Sequence, residues 1–92
     1  MSQHEYPREL AEQFGDNLKR ARRRGGFSQE EVASASGLHR TAIGKLERGV
    51  GLPRLDTIIK LASTLDTTPA ALLDRMGWQR GSFQLGGFFV GR

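Results

Sequence analysis

Val32 and Ala33 stand on one side of Ala35-Ser36-Gly37-Leu38, and Ile43 and Leu46 stand on the other. That spacing admits two short helices packed across a tight turn. The boundaries are written in local chemistry. Ser28-Gln29-Glu30-Glu31 is a capping box: the serine oxygen accepts the Glu31 amide, and the Glu31 carboxylate reaches back to the Ser28 amide. Gly37 stops this helix, because a residue without Cβ takes the left-handed conformation a tight turn demands, and Leu38 packs beneath it. The next helix runs from His39 or Arg40 to Arg48, turns Ile43 and Leu46 inward at i, i+3 and ends at Gly49. Its outward face is left free for a partner.

Three further helices flank this pair. Tyr6-Pro7 opens the first, where Leu10, Phe14, Leu18 and Ala21 form one apolar stripe that Gly25-Gly26 ends. After the loop Val50-Gly51-Leu52-Pro53, residues Leu55, Ile58, Ile59, Ala62 and Leu65 follow the pattern of a well-buried helix, with Asp56 and Lys60 as an exposed i, i+4 pair. Thr68 caps a fifth helix with Pro69 at its first position, Leu72, Leu73 and Met76 facing the core, and Gly77 as its stop. The expected fold is all-α: a compact five-helix domain over residues 1–77, with the turn-linked pair at about 28–48.

Residues 78–92 differ in kind, with Gly at 81, 86, 87 and 91, Phe at 83, 88 and 89, and no helical period. Gly86-Gly87 suggests a two-residue hairpin turn pairing Leu85 with Phe88 and Phe83 with Val90. Those four apolar residues would share one face. Such a hairpin is marginal alone, so the face would pack on the helices, on a second copy or on another partner. A frayed tail is the other reading.

Composition narrows the chemistry. Ninety-two residues make one small domain. The chain has no cysteine, which removes disulfides, thiolate metal sites and cysteine nucleophiles; His4 and His39 alone do not make a metal site, and no cofactor is expected. The acids are scattered, and Ser28, Ser34, Ser36, Ser63 and Ser82 have no base at motif spacing, which argues against an enzyme. The longest uncharged stretch, Gly81 to Gly91, is too short to span a bilayer, and Met1-Ser2-Gln3-His4-Glu5 has no apolar leader segment. A cytoplasmic protein without a membrane partner is expected. The net charge of +4 is small, but five of the six residues from Lys19 to Arg24 are basic. This run is either a solvated helix end whose cations suit the macrodipole or a phosphate-attracting patch.

The segment from Phe27 through Ser28-Gln29-Glu30-Glu31, Gly37, Leu46-Glu47-Arg48-Gly49 and Pro53-Arg54-Leu55-Asp56 resembles the Cro and phage-repressor-like (XRE-like) helix-turn-helix family. The resemblance spans about residues 14–74 and implies a lambda-repressor-like DNA-binding domain whose third helix lies in the major groove. It implies that Arg40, Thr41, Gly44 and Lys45 face base edges. Arg40 or Lys45 can donate to guanine, Thr41 can meet a thymine methyl or a phosphate, and Gly44 would expose bare backbone to closely approaching DNA. Gln29 matches a phosphate-contacting glutamine, and Arg24, His39, Arg48 and Arg54 are further phosphate candidates. His39 also reads as a helix cap or a protonation switch. Arg22 and Glu47 match a salt-bridged structural pair. The chain departs from the family pattern at His39, Gly44, Val50 and Leu52; the last two put apolar surface beside the third helix, either as loop packing or as a dimer contact.

The implied function is a sequence-specific double-stranded DNA-binding transcriptional regulator, a homodimer on a palindromic operator, with no small-molecule domain. The alternative is an antitoxin-type module that binds a toxin through its tail and autoregulates by DNA binding. In either case Phe83, Leu85, Phe88 and Val90 form the expected dimer or partner surface.

Overall fold

A computed structural model describes residues 6–78 and 88–90. Its helices are α1 (Arg8–Arg24), α2 (Gln29–Ser36), α3 (Arg40–Glu47), α4 (Leu55–Thr64) and α5 (Pro69–Leu72), followed by strands β1 (Met76–Trp78) and β2 (Phe88–Val90). Phe14, Leu18, Val32, Ile43, Leu61 and Leu72 are fully buried and bring all five helices into one core. Both halves of the α2 capping box form: Glu31 N donates to Ser28 Oγ at 3.0 Å and Ser28 N to Glu31 Oε1 at 2.7 Å. Gly37 closes α2 at φ 80°, in the left-handed region. Thr68 Oγ1 accepts from Ala71 N at 3.0 Å at the start of α5. On α1 the fully buried first-turn residue is Ala11, and Leu10 is only half-buried.

Two expectations are corrected. The buried stripe of α4 is Ile58, Leu61 and Ala62, continued by Leu65 just beyond its end; Leu55 is 76% and Ile59 51% exposed. Those two residues are one turn apart on a ridge rotated away from the core, and among the described residues no element covers it. Second, α5 is a single turn that ends at Leu72. Leu73 is 38% exposed, Arg75 takes φ 67°, and Met76 reaches the core from β1, with Gly77 inside that strand. Asn17 explains the early stop. Its Nδ2 donates to Leu72 O at 2.9 Å and Asp74 O at 2.8 Å, satisfying carbonyls that a longer helix would have used, while Gln13 Nε2 donates to Asn17 Oδ1.

Beyond the helices, β2 pairs antiparallel with β1, in the register Met76 with Val90, Gly77 with Phe89 and Trp78 with Phe88, and lies beside α1. The expected partners Phe83 and Leu85 fall outside the described residues. β1 itself spans the position between residues 77 and 78. Among the described residues, no helix is long and apolar enough to cross a membrane.

Candidate nucleic-acid interface

The outward face of α3 is set by what its inward face buries. Ile43 and Leu46 enter the core. At 100° per residue, Thr41, Lys45 and Arg48 fall opposite them along an i, i+4, i+7 stripe, and all three are exposed. Arg40 stands at one edge of this stripe, its Nε 3.8 Å from Glu30 Oε2; both side chains are largely exposed, so the pair restrains Arg40 little. His39 occupies the N-cap position, but its side chain makes no cap hydrogen bond, which removes the capping role expected of it.

Behind the face lies a buried ion pair. Arg22 donates from Nε to Glu47 Oε2 at 2.6 Å and from Nη2 to Oε1 at 3.0 Å, and its Nη1 donates to Phe27 O at 2.8 Å. Gln29 Nε2 adds a third bond to the same carboxylate, at 3.0 Å from Oε1. Burial pushes the Glu47 carboxyl up, yet hydrogen bonds from Arg22 and Gln29, with the charges of Arg22 and Lys19, hold it below the ordinary carboxylate range. The hydrogen bond to Glu47 raises the Arg22 guanidinium further. One carboxylate thus ties together α1, the start of α2 and the end of α3.

Gly15 completes this scaffold, and sequence reasoning missed it. A Cβ there would sit 2.5 Å from Leu46 O and 2.7 Å from Glu47 O, so α1 and α3 touch backbone to backbone. The available signal was a glycine in the middle of an otherwise good helix, where it costs about 1 kcal/mol relative to alanine.

The expected site residues divide. Arg40, Thr41, Lys45, Arg48 and Gln29 converge on one surface. Gly44 lies on that surface but is not bare: it is buried, because Arg48 Nη1 is 3.2 Å and Gln29 Oε1 3.8 Å from where its Cβ would be. Side chains on a helix lean towards its N-terminus, so the residue four positions on covers Gly44. Arg54 is exposed at the start of α4, its Nε 3.2 Å from Asp56 Oδ1. Arg24 is not brought to this surface. It lies about 200° around α1 from Arg22 and shares a groove with Leu65, Asp66 and Thr67 at the end of α4. With Asp16, Lys19, Arg20 and Arg23 it also lines an open cationic face of α1.

The sequence pattern of the helix-turn-helix family matches residues 18–72. The chain belongs to the helix-turn-helix family. Within this family it is a DNA-binding transcriptional regulator of the XRE type. This helix-turn-helix protein is 41% identical over 69 residues to the control protein C.SmaI of Serratia marcescens, covering 75% of this chain and 82% of that one. It superposes on the restriction-modification controller protein C.AhdI from Aeromonas hydrophila with a TM-score of 0.66 at 42% identity, covering 67% of this chain and 94% of that one. A structure of SinR, a master regulator for biofilm formation in complex with DNA, matches with a TM-score of 0.64 at 27% identity, over 66% and 98% of the two chains.

Proposed function

We propose that the protein is a control-protein-type regulator that binds an operator with two-fold symmetry as a homodimer, one α3 in each major-groove half-site. The observation that carries this reading is the outward stripe of α3, where Thr41, Lys45 and Arg48 stand exposed beside Arg40 while the opposite face is locked to α1 through Glu47. An α-helix with such side chains fits the major groove. The resemblance to C.SmaI and C.AhdI supports the control-protein type, because the chain spans most of both proteins. Arg40 and Lys45 read base edges, and Thr41 meets a thymine methyl or a phosphate. Gln29 spends one amide hydrogen on Glu47 and keeps the other for a phosphate, with His39 and Arg54 as flanking phosphate contacts.

Titrating a selected operator at several salt concentrations tests the reading. With about six phosphates neutralised per dimer, the log–log slope of affinity against salt is about −5, and a flat response would sink the proposal. Arg40→Ala and Lys45→Ala shift sequence preference; an unaltered preference removes them as readers.

The dimer contact is better placed on α4 than on the tail. Among the described residues Leu55 and Ile59 share an uncovered ridge, and Val50 and Leu52 in the preceding loop are 48% and 42% exposed. A cluster of large apolar side chains left in water marks an interaction surface. Two copies joined there bring two α3 helices to half-sites roughly 34 Å apart or a multiple of it. The double substitution Leu55→Glu, Ile59→Lys therefore yields a monomer by sedimentation and weakens operator binding about 100-fold through lost avidity. A dimer that survives both changes returns the contact to the tail. The toxin-binding alternative rests on a tail whose Phe83 and Leu85 lie outside the described residues.

A further inference from the structure

Arg48 is the C-cap residue of α3, an unfavourable station for reading bases, because it is the N-terminal part of a recognition helix that enters the groove. Its guanidinium is not at that station. Nη1 lies 3.2 Å from the point a Gly44 Cβ would occupy, one helical turn, or about 6 Å, back along the axis from the Arg48 backbone. Glycine leaves the notch that receives it. The notch is flanked by Gln29, whose Nε2 is held by Glu47 and whose Oε1 lies 3.8 Å from the same point. Among the described residues the exposed Arg48 guanidinium makes no hydrogen bond and no ion pair, so it lies over Gly44 with its donors free. On the helical wheel Arg48 falls beside Thr41, at the centre of the outward stripe, where the floor of a major groove would lie.

We propose that Arg48 is a base-reading residue for guanine, donating to O6 and N7, and that Gly44 is the specificity-determining position that allows it to reach. This rests on α3 entering the major groove, as argued above. A residue with a long side chain at position 44 would fill the notch and move the guanidinium outward, towards the phosphates. Guanine is the base whose two major-groove acceptors match a guanidinium.

The experiment measures binding of the full chain to a selected operator and to its single-base variants, at two salt concentrations, for the wild type, Arg48→Lys, Arg48→Ala and Gly44→Met. Methionine is a good helix former without a donor, and thermal unfolding of each variant verifies the fold. Expected is a loss of about tenfold discrimination at one guanine, the same one in all three variants, with the salt slope of Arg48→Lys kept. The proposal is overturned if Arg48→Lys retains the preference while Arg48→Ala weakens every sequence equally and lowers the salt slope by about one, the signature of a phosphate contact. Gly44→Met with an intact preference overturns the role of Gly44. A wild type whose binding shows neither sequence preference nor salt response defeats the major-groove reading itself, which the other two outcomes leave standing.

Discussion

Replacing Glu47 by alanine is expected to cost about 3–5 kcal/mol of folding stability, the range for leaving one partner of a buried ion pair alone. The side chains of Arg22 and Glu47 are only 11% and 2% exposed, so neither recovers water when the other is cut. Arg22 keeps its bond to Phe27 O but loses two bonds, and Gln29 loses its anchor. Denaturant midpoints measure the loss; a change below about 1 kcal/mol would refute the assignment, because surface pairs are worth that little. The double replacement Arg22→Met, Glu47→Leu should recover much of the stability, since apolar residues of similar volume often substitute for a buried pair without loss. It should not recover operator affinity, which needs Gln29 held.

The same carboxylate shapes the acid limb of stability. Its native pKa is lowered, so the unfolded chain binds the proton more readily. Its contribution is therefore complete above the unfolded value, about 4.3, and is lost as pH falls through the lowered native value. Acid titration of Glu47→Gln, which starts less stable at neutral pH, should show a shallower decline than the wild type below pH about 4.3. Parallel curves would mean that other carboxylates carry the acid transition.

Gly15→Ala should be the second large effect. In an exposed helix the change would gain about 1 kcal/mol, but here the added carbon meets the carbonyl oxygens of Leu46 and Glu47, which cannot rotate aside. Overpacking costs about 1–3 kcal/mol, and a backbone obstacle puts this case at the upper end, so a net loss of about 2 kcal/mol follows. Because the displaced element is α3, operator affinity should fall in the same variant. Gly44→Ala is the comparison, since there the Cβ meets side-chain ends rather than backbone, the movable tip of Arg48 at 3.2 Å and Gln29 Oε1 at 3.8 Å. If Gly15→Ala melts at or above the wild-type temperature, the close approach of α1 and α3 is wrong.

What could be read from the sequence was whatever local chemistry decides. Ser28 and Gly37 bound α2 through bonds and backbone angles contained within the segment, and the α2–α3 pair follows from them. The Arg22–Glu47 pair was legible only through family resemblance, because a contact between residues 25 apart leaves no periodic trace. Apolar spacing identified α4 as a helix but not which ridge would be covered, so Leu55 and Ile59 looked buried. The length of α5 depends on Asn17, more than 50 residues away, whose two hydrogen bonds no pattern near Pro69 announces. In the tail the conspicuous Gly86-Gly87 points only to a local turn, and the pairing of β2 with Met76–Trp78 is a further contact that no pattern near it announces. Gly44 was recognised as a departure, yet what fills its space comes from the next turn of the same helix.

The bond from Gln29 to Glu47 has an entropic consequence. A glutamine on an open surface samples many rotamers and gives up about 1.5–2 kcal/mol of that freedom when a ligand fixes it. Here the ordering is completed during folding, through a carboxylate the scaffold already needs. An anion arriving at this amide meets a donor that is already arranged, so more of the contact energy appears as affinity and less is consumed in immobilising the side chain.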